Sequence, residues 1–478
     1  MQNDRDWTIA HLAPLIRRNK LSPVELTRFC LERIARLQPE INSYITITRD
    51  IALAQARRAE KEIAKGDYRG VLHGIPINLK DLFFTRGIRT TAGSRVLRKF
   101  IPEENAAVVD SLLHAGCILL GKTNMHEFAF GSTNLNPHYG PVRNPWNTDR
   151  ISGGSSGGSA ASVVTAQAMA SFGTDTGGSI RIPAAACGCV GFKPSYNRVP
   201  MRGILPLSAT LDHAGPLSRC VLDAAFLLDA AAKPQSMEYS SARIAHEIRR
   251  GVKSTVIGVP RQYFYDRIQS GVRESVLTAA RVFEQLGADI REVNLKGMED
   301  TEQLAADITG CEALAFHEAW LRTKSRDYGE DVRTRLEQNR AISAISYIQC
   351  LNKRASYARE FEKAMDEIHL LLVPTLPVTA PPIDAVNIRI GRARESARLA
   401  MLRLTRPGNL ARLPAISLPC GFSDGLPVGL QLIGRYFDDI SVLRAAYAYE
   451  SATPWHEHFP VDNRQSAVGS NQKSEIRN

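Results

Sequence analysis

Ile151-Ser152-Gly153-Gly154-Ser155-Ser156-Gly157-Gly158-Ser159-Ala160-Ala161, followed shortly by Gly173-Thr174-Asp175-Thr176-Gly177-Gly178-Ser179-Ile180-Arg181, is the stretch around which the chain is organised. Two Gly-Gly-Ser turns stand in an apolar, alanine-rich setting that a flexible linker would lack. Glycine permits positive φ and lets a substrate approach bare N–H groups, so two such turns can build an anion or oxyanion pocket. Either turn alone reads more simply as a tight connection between packed elements. The small-residue run from Ser156 to Ala170 reads as a helix entered from the first turn, and Met169 to Gly173 as a strand delivering the second.

Outward from this stretch, helical and strand patterns alternate. On the N-terminal side, Ser22-Pro23-Val24-Glu25 opens an amphipathic helix with Leu26, Cys30, Ile34 and Leu37 at helical spacing. Ile41 to Thr48 reads as a strand, Ile51 to Lys65 as an exposed helix, Asn105 to His114 as a helix and Cys117 to Leu120 as a strand. On the C-terminal side, helices over 221–232 and 272–286 alternate with strands over 255–259 and 289–293. The segment 301–368 reads as almost wholly helical, Leu370 to Val373 as a buried strand, and Ala415 to Cys420 with Val428 to Ile433 as a hairpin around Ser423-Asp424-Gly425. A last helix spans 441–450, and 461–478 is a polar tail. This alternation predicts an α/β fold with a mixed, mostly parallel central sheet covered by helices on both faces. No repeat or low-complexity linker interrupts it, so residues 1–460 are expected to form a single domain. Its catalytic core is expected at about 65–235, completed by 370–450, with 301–368 as a helical insertion on the substrate side.

The formal charge of +11 raises contact with nucleic acid or acidic surfaces, but no dense Lys/Arg run accompanies it. Basic residues are spread along segments such as 243–253 and 389–412, which read as helical, solvated faces. Eight cysteines lie mostly in apolar runs without zinc-type spacing, and Cys187-Gly188-Cys189 reads as buried thiols. With no hydrophobic signal core at the N-terminus and no apolar run of about 18 residues, a cytoplasmic protein without a membrane partner is the expectation.

Gly74-Ile75-Pro76-Ile77-Asn78-Leu79-Lys80-Asp81 is a short apolar run that ends in a lysine, which is costly in a buried strand unless it is paired or used. A serine hydroxyl is a poor nucleophile unless a base removes its proton, and a lysine can be that base only when neutral. Lowering a lysine pKa from about 10.4 to about 7 or 8 takes roughly 4 kcal/mol of preference for the neutral form, which burial can supply. Lys80, Ser155 and Ser179 can thus form one proton-transfer chain, with the N–H groups of residues 176–179 as oxyanion donors. His73, His126, His213 and Glu127 invite a Ser-His-Asp reading, but no spacing certifies one.

These motifs resemble the amidase signature family of serine hydrolases, over most of the chain from the 74–81 block through 153–193 to the 426–435 hairpin. The resemblance implies that Ser179 is the acyl-accepting nucleophile, Ser155 a bridging serine after a cis peptide bond from Gly154, and Lys80 the ultimate base. It also implies Thr176, Gly177 and Gly178 as the oxyanion loop and Ala129 as a backbone contributor to the acyl pocket. Ser156 is then expected to cap its helix, Asp175 and Arg181 to brace the loop, and Asp212 to be structural. No metal or cofactor is implied, the partner is a small-molecule amide, and homodimers are common in the family.

The family holds stand-alone amidases and the glutaminase component of glutamyl-tRNA amidotransferase, its A subunit. Leu413 to Phe422 and Gly425 to Gly434 look closely similar to that component. The chain departs from it at Leu402, where the glutaminase carries an aspartate that holds the glutamine ammonium, and Arg335 matches its carboxylate-binding arginine. An amide or carbamoyl compound with a neutral or anionic remainder is therefore the expected substrate of a stand-alone hydrolase. The alternative is the glutaminase subunit, the one case in which nucleic acid would be a partner. A non-catalytic RNA-binding protein rests on the charge alone.

Overall fold

The computed structural model describes residues 7–232, 241–260 and 262–460, so the polar tail lies outside the described residues. Among these, the strands in chain order are β1 (Tyr44–Ile47), β2 (Pro76–Lys80), β3 (Ile118–Thr123), β4 (Arg143–Asn144), β5 (Asn147–Ile151), β6 (Ala170–Asp175), β7 (Val190–Lys193) and β8 (His213–Ser218). They continue as β9 (Val256–Pro260), β10 (Asp289–Val293), β11 (Leu370–Pro374), β12 (Asn387–Ile390), β13 (Ala393–Ser396), β14 (Ala415–Ser423) and β15 (Leu426–Gly434). Eleven of them form one sheet in the order β1-β3-β2-β6-β8-β7-β14-β15-β11-β9-β10, and β4–β5 and β12–β13 are separate hairpins.

The sheet is mixed, as expected, but its parallel pairs are confined to the flanks: β3–β2–β6 on one side and β11–β9–β10 on the other. Between them, every pair from β6 through β8, β7, β14 and β15 to β11 is antiparallel. The parallel share is smaller than the alternation implied because two of the middle connections, the two-residue turn from β14 to β15 and the helix-free segment 194–212 from β7 to β8, are not the crossover helices that parallel neighbours need. β14 and β15 pair from Ser423–Leu426 inward around Asp424-Gly425. Both turn residues have positive φ, 53° and 72°, the backbone that a two-residue Asp-Gly hairpin turn requires.

Local signals explain the covering helices. Ser22 accepts hydrogen bonds from the Val24 and Glu25 N–H groups at 3.0 and 3.2 Å and opens the helix Pro23–Ile41. That helix buries Leu26, Cys30, Ile34 and Ile41, each contributing about 1.5–3 kcal/mol of transfer free energy where a full side chain is removed from water. The segment 301–368 is helical over Thr301–Lys324, Glu330–Gln338 and Ala344–Glu367. The helix after the first Gly-Gly-Ser turn is shorter than expected, Gly157–Val164.

The basic run 389–412 differs from its sequence reading. It begins in the β12–β13 hairpin and continues as two short helices, Ala397–Arg403 and Arg406–Leu410. Arg403 and Arg406 are buried rather than solvated. Arg403 is held inside by the backbone carbonyls of Tyr263, Asp266 and Arg267, which replace water as acceptors.

Parallel strands end at the same sheet edge. β2 pairs with β3 through Lys80–Thr123 and with β6 through Leu79–Phe172. Their carboxyl ends therefore deliver the 124–131 segment, Lys80 and the 175–181 loop to one place, where ligand sites of parallel strands form.

Candidate active site

Lys80 is fully buried at the end of β2. Its Nζ donates to Ser155 Oγ at 2.7 Å and to Thr174 Oγ1 at 2.8 Å. Burial pushes its pKa down to about 7, against the opposing pull of Asp175 and Asp212. Two other lysines are fully buried nearby, but neither touches a serine hydroxyl. Lys122 Nζ donates to Phe83 O and Thr90 Oγ1 and faces Asp81 at 3.6 Å, and Lys193 Nζ donates to backbone carbonyls of Leu413 and Pro194. Thr174, which sequence reasoning passed over, sits on β6 within the same motif as Ser179 and shares the lysine with Ser155.

Ser155 follows β5 and a cis Gly154–Ser155 peptide bond. Ser156 occupies the N-cap position of Gly157–Val164 without capping it: its hydroxyl donates to Thr174 O at 3.3 Å. The capping acceptor is instead Asn134 Oδ1, which takes the Gly157 N–H at 3.0 Å. A residue 23 positions upstream cannot be found from cap patterns, which look only at the adjoining residues.

The second turn is braced by Asp175, whose carboxylate accepts from the N–H groups of Gly178 (2.8 Å) and Ile180 (3.1 Å) and from Arg181 Nε and Nη2 (3.0 and 2.9 Å). Burial disfavours the charge on Asp175, but the Arg181 guanidinium holds its carboxyl well below the usual carboxylate range. Arg181 in turn donates to Thr405 O, Gln431 Oε1 and Asn409 Oδ1, tying the loop to the Arg406–Leu410 helix with its preceding residue and to β15. The loop-bracing reading of this pair is what the contacts describe. Asp212 accepts from Thr176 Oγ1 at 2.5 Å and from the N–H groups of Leu207 and Ser208, and burial raises its pKa to about 6.

Gly178 therefore spends its N–H on Asp175. Among the described residues, the N–H groups of Thr176, Gly177 and Ser179 make no hydrogen bond and remain available as donors. Gly178 has φ +129°, and a Cβ there would run into the Thr405 side chain, so no other residue fits.

Ser179 is 4% exposed and lines a small cavity with Ala129, Thr176, Gly177, Arg335, Arg398, Leu402 and Arg406 among its walls. Ala129 and Phe128 both adopt positive φ, 59° and 50°, at the turn that closes one side. No hydrogen bond joins the Ser179 and Ser155 hydroxyls among the described residues; the link between the two turns is Ser156 N–H to Ser179 O at 3.2 Å. Ligand-free sites often hold catalytic groups at longer range than the reacting complex does.

The histidines lie elsewhere. His213 Nδ1 faces the Leu211 and Asp175 carbonyls, His126 Nε2 faces Asp331 at 3.4 Å, and His73 faces Glu62. Glu127 is committed to Ser94, His138 and the Gly329 N–H. No side chain of these four reaches the Ser155 or Ser179 hydroxyl among the described residues; His126 meets Ser155 only through its backbone, its N–H donating to Ser155 O at 3.2 Å. Cys187 and Cys189 are buried free thiols, and burial raises both.

A family model described as Amidase matches residues 25–443. The chain belongs to the amidase family. Among curated amidase-family relatives, the A subunit of glutamyl-tRNA(Gln) amidotransferase from Geobacter sp. (strain M21) is 38% identical over 94% of this chain and 98% of its own length. The crystal structure of the corresponding A subunit from Thermotoga maritima is 32% identical, with TM-score 0.79 over 96% of this chain and 98% of that one. A bacterial aryl acylamidase of the amidase signature family is 27% identical, with TM-score 0.88 over 95% of this chain and 98% of that one. As an amidase-family enzyme, the chain is a hydrolase of C–N bonds. Among the described residues, no helix is long and apolar enough to cross a membrane.

Proposed function

We propose that the chain hydrolyses a linear amide or carbamoyl compound through an acyl-enzyme on Ser179. Neutral Lys80 takes a proton from Ser155 as Ser155 takes one from Ser179, and Ser179 Oγ forms a bond to the carbonyl carbon. The N–H groups of Thr176, Gly177 and Ser179 receive the oxyanion. The proton held by Lys80 returns through Ser155 to the nitrogen as the C–N bond breaks, releasing ammonia or an amine. Water then cleaves the acyl-enzyme by the same relay in reverse. The observation that carries this reading is the 2.7 Å hydrogen bond from a buried lysine of depressed pKa to Ser155 Oγ.

The test is ammonia or amine release by Ser179→Ala and Lys80→Ala on simple aryl and aliphatic amides. Each is expected to lose at least about a thousandfold in kcat; near-normal turnover by either would overturn the assignment.

The curated relatives favour a second reading, the glutaminase component of a glutamyl-tRNA amidotransferase, and in sequence terms they favour it over a stand-alone amidase. Against it stands the cavity wall. Leu402 offers no carboxylate for an α-ammonium, and Arg398 and Arg406 flank it in the same cavity. Co-purification with further subunits, and glutamine turnover that depends on them, would favour the amidotransferase reading.

A further inference from the structure

Three guanidinium groups, those of Arg335, Arg398 and Arg406, line the cavity beside Ser179, and no carboxylate side chain lines it among the described residues. Arg406 is buried, and among the described residues its Nη1 donates only to a backbone carbonyl, that of Glu302, at 3.1 Å. Arg335 pairs with Asp331 through Nη2 and lies over the Phe130 ring at 4.6 Å. Its Nη1 is buried and makes no hydrogen bond among the described residues. Arg398 forms no hydrogen bond or ion pair through its side chain among the described residues; burial lowers its pKa and the charge of Asp331 opposes that shift. Asp331 is itself half out in solvent and shared with His126. Burial and the mutual repulsion of the arginines lower Arg335 and Arg406 to about 10 each, Arg398 being the repelling neighbour of both and Asp331 opposing the shift at Arg335.

Such an arrangement has unmet donors and unmet positive charge beside Ser179; the free space of ≈ 40 Å³ there holds about one water, so side chains of the wall move aside when substrate enters. A planar anion with two acceptor oxygens would satisfy both, and arginine forks match a carboxylate in that way. An ammonium would add a further positive charge with no carboxylate in the wall to pair it.

We propose that Arg398 and Arg406, together with Arg335, bind the carboxylate of a small anionic amide whose scissile carbamoyl group sits on a short chain and which carries no ammonium. The proposal deepens the amide-hydrolase reading and rests on Ser179 as the reacting group. The cavity thus selects monoamides of short dicarboxylic acids over neutral amides and over amino-acid amides. Specificity arises partly from what the wall repels.

Three compounds isolate the terms: glutaramate, pentanamide, which replaces its carboxylate by a methyl group, and L-glutamine, which adds an ammonium. At constant ionic strength, glutaramate is expected to exceed each of the others in kcat/KM by at least about a hundredfold. In Arg398→Gln and Arg406→Gln the ratio of glutaramate to pentanamide is expected to fall by at least about tenfold, through KM for glutaramate. Equal use of pentanamide, preference for glutamine, or a ratio unmoved by both variants would overturn the proposal. A binding arm separates this from failure of the catalytic reading: calorimetric titration of the Ser179→Ala protein with glutarate, before and after adding Arg398→Gln. Binding that weakens at least about tenfold in the double variant supports the anion site even if no amide is turned over. Absence of glutarate binding, or binding indifferent to Arg398, overturns it. Arg398 is the more exposed of the two substituted arginines, so its variant stays informative should Arg406→Gln fail to fold.

Discussion

Lys80, Lys122 and Lys193 are all removed from water, yet their partners separate them. Lys193 and Lys122 satisfy their ammonium groups on backbone carbonyls, and Lys122 also on Thr90 and Asp81. Among the described residues, Lys80 meets only two hydroxyls and one distant carbonyl. Hydroxyls can donate as well as accept, so this setting tolerates a neutral amine where a ring of carbonyls would not. Burial lowers the Lys80 pKa to about 7, and the rate should follow its neutral fraction. We expect log(kcat/KM) to rise with unit slope up to pH about 7 and to level above it, as read from a pH–rate profile. A rate flat from pH 5 to 9 at about constant kcat/KM would remove Lys80 as the base. The same shift has a stability sign. The folded pKa lies below the unfolded one, so between about 7 and 10.5 the unfolded chain binds more protons and stability rises with pH. Below that window the buried amine is a liability. Lys80→Met is therefore expected to abolish turnover without lowering the thermal midpoint at pH 7, measured by calorimetry.

At the scale of elements, the decisive juxtaposition is the edge shared by β3, β2 and β6, and the sequence disclosed most of it. Short apolar runs bounded by glycine or proline marked β2, β3, β6, β11 and the β14–β15 hairpin to within a few residues. The strand β8, His213-Ala214-Gly215-Pro216-Leu217-Ser218, stayed hidden because it carries glycine and proline in a central, fully buried position that pattern rules reserve for edges. Lys80, Ser155 and Ser179 could be singled out as candidates because their motifs are local, and the structure joins the first two by a hydrogen bond. Of the cavity arginines, Arg335 was singled out by the resemblance, but Arg398 and Arg406 were not, because whether a basic run faces solvent or a cavity is decided by tertiary packing. Long-range bracing was equally hidden: Arg181 joins the 175–181 loop to residues 405, 409 and 431. Breaking such a buried pair leaves one charge without its partner. Arg181→Met is expected to cost about 3–5 kcal/mol by urea unfolding, and Asp175→Asn in addition should recover part of that loss. If the double variant is less stable than the single, the Asp175–Arg181 pair is not the brace described.

Considered as a whole, the molecule separates its charge into two populations. Nine Lys and Arg side chains and seven Asp and Glu side chains are buried among the described residues, so the interior accounts for little of the chain's positive excess and most of the charge of the described residues lies outside it. A diffuse positive surface attracts polyanions weakly, and that attraction falls steeply as salt releases the counterion advantage. It does not reach the Ser179 cavity, whose anion preference comes from inward-facing arginines. The two populations therefore predict different dependences. Nucleic acid should bind the surface at low salt and leave amide turnover unchanged, whereas a small carboxylate should compete with substrate at any moderate salt. The decisive measurement is ammonia release from glutaramate by the isolated chain at about 150 mM salt, where exposed charges more than about 8 Å apart are screened, with and without added tRNA. Equal rates are expected. Stimulation by tRNA, or by chains that co-purify, of about tenfold or more would mean that the cavity is completed by partners, and it would shift the assignment to the amidotransferase component.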